Sequence, residues 1–329
     1  MKILAIESSC DETAAAVVED GTKILSSVVA SSTAMHEKYG GIVPEVAARE
    51  QLKVIIPTMS EATRGHSYDA IAVTVGPGLI GSLLVGVETA KTMAMVTGKP
   101  LIPVNHVLAH MYANFVSEQN SSRAQPRDNI QFPAISLVVS GGHTELFLMT
   151  SHEDLQWLGG TLDDAAGEAF DKTARLLGFG SRGGVAIQEN ARKQKLEFKL
   201  PRPLMHDDTL NFSFSGLKTA IIREWTKNKD ASLIGAFAYE VQESITDVLL
   251  AKTRSAVEKY NAESILISGG VAANLRLREK FTSAFGNFHC PPVNLCTDNA
   301  VYIASYAFFR GTPEDWHTVT AIPDLSVEV

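Results

Sequence analysis

The sequence is short of several things. Cysteine is scarce: only Cys10, Cys290 and Cys296 occur in 329 residues. That is too few for a disulfide framework, and none has CxxC spacing, so a reducing cytosol is the simplest setting and a cytoplasmic protein is expected. No apolar run approaches the length that spans a bilayer, so no membrane-spanning helix is expected. Positive charge is not in excess. The 29 Lys and Arg against 37 Asp and Glu give a net charge of −8, so a polyanionic partner would have to meet a local patch. One candidate patch is Arg192, Lys193, Lys195, Lys199 and Arg202, opposed by Glu197; a solvated basic surface explains it equally well. The GxxxxGK[ST] signature is absent, as is GxGxxG after the first strand, which argues against a P-loop protein and a Rossmann dehydrogenase.

What is present is ordinary in bulk and specific in detail. Hydrophobic residues make up 45% and charged residues 20%, the balance of a globular protein. The length exceeds what one core usually organises, which predicts two domains. MKILAIESS reads as a first strand and not a signal peptide, because the apolar run ends in Glu7 without a small-residue cleavage site. KILAIESSCDETAAAVVED predicts strand, polar turn, strand, and AISLVVSGGHTELFLMT repeats the theme, which implies a duplicated βββαβα plan. Helices are expected over residues 45–64, after the Gly76-Pro77-Gly78 turn, from Asp164 to Leu177 with Gly178 closing it, and within 231–260. Residues 264–280 read as strand, Gly-Gly turn and helix, and the polar stretch 117–130 as a loop or lobe boundary. The order of elements is α/β in each half.

Three constellations carry chemistry. VVSGGHTE and LISGGVAAN each place Ser-Gly-Gly after a buried strand, where backbone amides can approach a phosphate or nucleoside without a side chain intervening. A single such turn is usually only a turn; two of them, with SSCDET and GPG, form a set of the kind found in actin-like ATPases and sugar kinases. In DDAAGEAFDKTARLLG, Ala166, Ala169, Phe170, Thr173 and Leu177 share an apolar face and Asp164, Glu168, Asp171 and Arg175 the other. That polar face is either solvated, with pairs such as Asp171–Arg175, or presents a carboxylate to ribose hydroxyls. In Asn105-His106-Val107-Leu108-Ala109-His110 the histidines stand four apart on one helical face and can bind one metal, although a single pair of this kind is more often incidental. Val107 occupies the place of the HExxH glutamate, which argues against a zinc peptidase. Asp298, in the polar turn CTDNA, is the expected third ligand, and two imidazoles with one carboxylate suit Fe(II) or catalytic Zn(II).

ESSCDET, GGIVPEVAAR, GPGLIGSLLVG, NHVLAH, VSGGHTE, DDAAGEAFDKTARLLG, PRPL, FSFSGLKTA, SGGVAANLRLR and CTDNA follow one another in that order. Together they resemble the TsaD/OSGEP family, the tRNA threonylcarbamoyltransferases formerly called O-sialoglycoprotein endopeptidases, over about residues 1–310. The resemblance implies an actin-like, hsp70-like, sugar-kinase (ASKHA) fold of two lobes, each a mixed sheet flanked by helices. The expected lobes are 1–125 and 126–329, the second with a helical insertion and with its last helix free to return to the first. The implied reaction moves a threonylcarbamoyl group from threonylcarbamoyl-AMP to N6 of the adenosine beside the anticodon, in tRNAs reading codons that begin with A.

Carried over residue by residue, the resemblance implies metal ligands His106, His110 and Asp298, with Fe(II) or Zn(II) as the ion. It implies adenylate contacts at Val138, Val139, Ser140, Gly141, Gly142, Asp171, Gly184 and Asn274. Asp11 matches a family acid close to the metal and is either the base that takes the amine proton or a group that orients a metal-bound water. The implied partners are tRNA, a TsaB-like paralogue and a TsaE-like P-loop ATPase. The chain departs from the family pattern at Arg182-Gly183-Gly184-Val185, where prolines usually flank the glycines. It also departs at Gln51, where His is common, at Asn211, where Asp is common, and at Ala321-Ile322-Pro323-Asp324, which replaces a more basic stretch. Two other readings stand beside this one. A small-molecule kinase or carbamoyltransferase of the same fold would hold Mg²⁺ through phosphates and have no use for the histidine pair. A non-catalytic scaffold paralogue would lack that pair and several glycine turns.

Overall fold

The computed structural model of the chain describes residues 1–32, 35, 41–117, 129–180, 183–194, 196, 198–227 and 230–329. Arg182, Lys195, Glu197 and most of the polar stretch 117–130 therefore lie outside the described residues. By its internal contacts the chain forms two units, Met1–Asn129 with Thr297–Val329, and Ile130–Cys296. The last thirty-odd residues thus group with the first unit.

The first unit is built on β1 (Lys2–Glu7), β2 (Glu12–Glu19), β3 (Lys23–Ser31), β4 (Ala70–Gly76) and β5 (Leu101–Asn105), with α1 (Pro44–Ala62), α2 (Ile80–Thr97) and the short α3 (His106–His110) between and after them. The sheet order is β3-β2-β1-β4-β5. β1 pairs antiparallel with β2 and parallel with β4. β1 and β4 are buried almost throughout, the pattern of strands covered on both faces. Leu4, Ile6, Ala15, Val17, Ile71 and Val73 join Ile55 and Met59 of α1 and Val85, Val87 and Ala90 of α2 in one core.

The second unit repeats the plan with β6 (Ala134–Val139), β7 (Thr144–Met149), β8 (Leu155–Gly160), β9 (Ser264–Ser268) and β10 (Phe288–His289). Its order, β10-β9-β6-β7-β8, is the first unit's order read from the other edge. β6 pairs antiparallel with β7 and parallel with β9, as β1 does with β2 and β4. The helices are α4 (Ala166–Leu176), α5 (Gly183–Asn190), α6 (Ser215–Lys227), α7 (Ile234–Tyr260) and α8 (Leu275–Ala284). α7 packs on β6, and α4 and α5 pack on each other and on α7. The final helix, α9 (Val301–Phe309), belongs to the first unit and packs against β1 and β2. Among the described residues no helix is long and apolar enough to cross a membrane.

The expected helix at Asp164 begins two residues later, at Ala166, because Thr144 Oγ1 accepts the Ala166 N–H at 2.9 Å and sets the helix start there. On it Lys172 bonds Asp164 at 2.8 Å. Arg175 Nε donates to the Asp171 carbonyl at 3.4 Å, and the Asp171 carboxylate accepts the Gly183 N–H at 3.0 Å. Of the basic segment, Arg202 is committed to ion pairs with Glu240 and Asp247 and is not a free surface cation.

The turn after β1 is gripped from three sides. Ser8 Oγ donates to the Ser82 carbonyl at 2.9 Å, and Ser82 Oγ donates to the Cys10 carbonyl at 2.9 Å. Gln51 Nε2, from α1, donates to the carbonyls of Cys10 at 3.0 Å and Glu12 at 3.1 Å. The Leu79 N–H closes on the Ser9 carbonyl at 2.8 Å. A Cβ on Gly86 of α2 would stand 2.3 Å from Ser8 Oγ and 3.3 Å from Ser8 Cβ, so a glycine is needed for this approach. Gly86→Val is therefore expected to overpack the contact and lower stability by about 1–3 kcal/mol, read as a lower urea midpoint at unchanged m-value.

Candidate functional site

Asn105, the last residue of β5, starts α3 as its N-cap: its Oδ1 accepts the N–H groups of Val107 at 3.0 Å and Leu108 at 3.2 Å. An Asn in that place satisfies helix-start donors that would otherwise be orphaned in the core. The cap sets His106 and His110 one turn apart on the same face, with ring centroids 4.7 Å apart and the planes at 75°. Both rings are buried. Asp298, from the turn before α9, reaches them: its Oδ1 lies 3.6 Å from His106 Nε2 and 3.5 Å from His110 Nε2. One ligand atom from each of the three lies within 4.8 Å of the others. The structure thus brings together the three residues that the sequence singled out.

The separations decide what the cluster can do. At 3.5–3.6 Å the Asp298–imidazole contacts are too long for good hydrogen bonds. They match the spacing of two ligand atoms that share one ion, which is about 3.4 Å for tetrahedral bonds of about 2.1 Å. The donors are also of the right kind, two imidazole nitrogens and a carboxylate oxygen, so the residues fit a divalent metal.

Behind His106 stands Glu7, the buried end of β1. His106 Nδ1 lies 3.0 Å from Glu7 Oε2, which assigns the Nδ1 proton to that contact and leaves Nε2 facing Asp298. Glu7 is itself held: its Oε1 accepts the Ser9 N–H at 2.6 Å and its Oε2 accepts the Thr74 hydroxyl. Burial opposes charge on Glu7, but His106 and the hydrogen bonds from His106 and Ser9 outweigh it and hold the carboxyl below its usual range. Burial likewise opposes charge on His106, yet the Glu7 and Asp298 carboxylates together raise its pKa to about 9. Burial works against Asp298 too, and the neighbouring imidazoles hold it well below the ordinary carboxylate range. His110 behaves differently: burial pushes it down, so its ring is neutral, as a ligand's must be. Tyr302, buried on α9, brings its hydroxyl to 3.4 Å from Asp298 Oδ1 and 3.5 Å from His110 Nε2.

Asp11 lies in the same turn as Ser9, whose Oγ is 3.3 Å from His106 Nδ1. Its carboxylate stands beside the Cys10 thiol, and burial together with that carboxylate pushes the thiol's pKa up. Cys10 is thus a protonated thiol at neutral pH and not a competing thiolate ligand.

The second unit carries a separate pocket of about 250 Å³. Its lining includes Gly141, Gly167, Phe170, Asp171, Gly184, Gln188, Gly270 and Asn274. A Cβ on Gly141, Gly184 or Gly270 would meet nothing within 4 Å: these glycines are bare toward open space, and packing does not require them. Gly167 and Gly183 differ. A Cβ on Gly167 would strike the Ser140 carbonyl at 2.4 Å, and one on Gly183 would strike Asp171 Cα at 2.4 Å, so both are needed to close α4 and α5 around the pocket. Asp171 is pushed up by burial, against the Gly183 N–H that bonds it.

Of the residues expected at the adenylate, Gly141, Asp171, Gly184 and Asn274 line this pocket. Asn274 is internally committed, its Oδ1 capping α8 at Leu277 N and its Nδ2 bonding Gln242 Oε1, each at 3.0 Å. Val138 and Val139 are wholly buried in β6. Ser140 turns inward, its carbonyl accepting the Gly167 N–H at 3.2 Å and its Oγ the His143 N–H at 3.2 Å. Gly142 lies in the same turn without lining the pocket. Residue-level reading missed Glu7, Thr74 and Tyr302 at the His106–His110–Asp298 cluster and Phe170 and Gln188 at the pocket. Glu7 had a signal, a charge closing an otherwise apolar buried strand, and Tyr302 had another, its place one helical turn after Asp298.

The comparisons with known proteins agree with this picture. The sequence model of the TsaD family, described as tRNA N6-adenosine threonylcarbamoyltransferase, matches residues 23–305. A protein of that name from Persephonella marina is 47% identical over 334 residues, covering 96% of this chain and 93% of its own. Among solved structures, component A of the (R)-2-hydroxyglutaryl-CoA dehydratase of Acidaminococcus fermentans is similar with a TM-score of 0.53 at 14% identity, covering 94% of this chain and 98% of its own. HypF of T. kodakarensis is similar with a TM-score of 0.59 at 15% identity, covering 93% of this chain and 47% of its own. Those two likenesses speak to the fold, the actin-like, hsp70-like, sugar-kinase class with mixed sheets flanked by helices. The family match and the near-full-length relative speak to descent, and by them the chain belongs to the tRNA N6-adenosine threonylcarbamoyltransferase family.

Proposed function

We propose that the protein transfers the threonylcarbamoyl group of threonylcarbamoyl-AMP to N6 of the adenosine beside the anticodon, in tRNAs reading codons that begin with A, and releases AMP. The observation that carries the reading, beyond family membership, is the convergence of His106, His110 and Asp298 at ligand spacing. Neither a phosphate-transferring kinase nor a scaffold has a use for it.

In this reading His106, His110 and Asp298 hold one divalent ion, Fe(II) with Zn(II) as the alternative. The bound ion supplies Lewis-acid polarisation of a carbonyl or carboxylate oxygen. The chain's own groups do the rest. Glu7 fixes the His106 tautomer, so that Nε2 is the nitrogen offered. The pocket at Gly141, Asp171, Gly184 and Gly270 seats the adenylate, Asp171 toward the ribose hydroxyls and the glycine backbones toward the phosphate, with Val138, Val139, Ser140, Gly142 and Asn274 shaping the turns that hold them. The step itself forms the N6–carbon bond and breaks the bond from the carbamoyl carbon to the phosphate oxygen. The N6 proton passes to Asp11, directly or through water. Because the donor is already activated, positioning and charge stabilisation suffice.

The site of action in this reading is the cytoplasm, and the working partners are tRNA, a TsaB-like paralogue and a TsaE-like P-loop ATPase. Support for a protein partner comes from an apolar groove on α1 and α2, where Leu52 is 64% exposed, Ile56 60% and Leu84 42%, a face that a partner can cover.

His110→Ala is expected to lose bound metal and transfer together, measured by elemental analysis and by an assay with threonylcarbamoyl-adenylate, unmodified tRNA and the partners. Full transfer by a metal-free His110→Ala would remove the reading. The His106 ring must shed a proton to bind an ion, and its pKa is raised to about 9. Metal affinity is therefore expected to weaken about tenfold for each pH unit lowered below 9. Glu7→Gln withdraws one of the charges that hold that proton. It is expected to flatten the pH dependence and to weaken metal binding about 10–100-fold, by chelator competition. Gly184→Ala separates packing from binding. Its Cβ enters open space on a helix, so stability is expected to hold or rise by up to about 1 kcal/mol. Affinity for the adenylate falls in the same variant, measured by calorimetry with a non-hydrolysable analogue.

A further inference from the structure

The geometry points to the phenol oxygen of Tyr302 as a fourth protein donor at the metal cluster, an inference that rests on the metal reading above and sharpens it. Tyr302 stands one turn after Asp298, on α9, where helical side chains lean back toward the N-terminus and over the preceding turn. Its ring lies 4.5 Å from the His110 ring between centroids and 6.2 Å from the His106 ring. Its oxygen is 3.4 Å from Asp298 Oδ1 and 3.5 Å from His110 Nε2. An O–H···O hydrogen bond falls at about 2.5–3.0 Å, so these contacts are too long to be the reason the phenol is buried here. They repeat the spacings of the three ligand atoms, 3.6 Å from Asp298 Oδ1 to His106 Nε2 and 3.5 Å to His110 Nε2. These four separations are close to the edge of a donor tetrahedron, about 3.4 Å for bonds of about 2.1 Å, and the ligand atoms of His106 and His110 lie within 4.8 Å of each other. The side chain is fully buried, so water does not compete for the oxygen.

The fourth donor changes what the site can take. With two imidazoles, a carboxylate and a phenol oxygen, a tetrahedral ion is closed, as in structural zinc sites. A six-coordinate ion would keep room for substrate oxygens, which favours iron.

Ferric iron, supplied as its citrate complex to the full chain stripped of metal, is the probe, because phenolate bound to iron(III) gives a visible charge-transfer band that imidazole and carboxylate do not. Wild type is expected to take up about one iron per chain and to show the band, with tyrosinate ring modes in its resonance Raman spectrum. Tyr302→Phe is expected to lose the band, to keep its circular dichroism and to bind iron about tenfold more weakly. Iron bound by wild type without the band overturns the assignment and leaves the three-ligand site standing. So does a band that survives in Tyr302→Phe. Failure of wild type to hold iron or zinc at all removes the metal reading itself and this inference with it. If Tyr302→Phe does not fold, the wild-type spectrum still decides against the proposal when the band is missing.

Discussion

The chemistry of the first unit depends on one buried contact, the Glu7 carboxylate against His106 Nδ1 at 3.0 Å. A charged carboxylate at the end of a core strand is expensive unless its oxygens are satisfied. Here the Ser9 N–H, the Thr74 hydroxyl and the imidazole satisfy them. The Ser9 N–H is available because the turn after β1 is itself clamped by Ser82, Leu79 and Gln51. Gln51 is therefore more than a departure from the family's usual His: its amide is the clamp that α1 applies to the turn. Remove the turn's geometry and Glu7 loses its partners, His106 loses its orientation, and the grouping of His106, His110 and Asp298 loses a member.

The second unit meets a different demand with the same topology. Its strand order mirrors that of the first, yet its pocket is lined largely by glycine, alanine and amides, with Asp171 as its acid. The first unit concentrates charge at the ends of its strands. The second clears side chains away from its turns and exposes backbone. Both use the same places in the plan, the ends of β1 and β6 and the helix starts that follow, where open α/β sheets commonly bind ligands.

Much of this was legible in the residues. The duplication showed as two strand–turn–strand patterns, because hairpins of buried strands leave apolar runs separated by short polar turns. The histidine pair showed because i,i+4 spacing is a local property of a helix. Asp298 was reachable only as a turn with a carboxylate, since nearly 190 positions separate it from His110 and closure over that distance leaves no local trace. Glu7 read as the polar end of a strand, and its burial became evident only with Thr74 and His106 around it. Val138 and Val139 illustrate the converse: they adjoin the glycine turn in sequence, but the strand's pleat puts their side chains in the core. The end of α4 nearest the pocket was misplaced by two residues because Thr144, from a neighbouring strand, sets where it starts.

Each cluster draws its residues from one unit alone: His106, His110, Asp298 and Glu7 from the first, Gly141, Asp171, Gly184 and Gly270 from the second. The two inventories are thus separable in descent. On the proposed reading, a lineage that drifted to other residues at the imidazole positions would forfeit catalysis while its glycine turns and both sheets stayed under unchanged packing constraints. Such a copy would persist as a folded body available for assembly, and retirement from chemistry is a short mutational walk for this architecture.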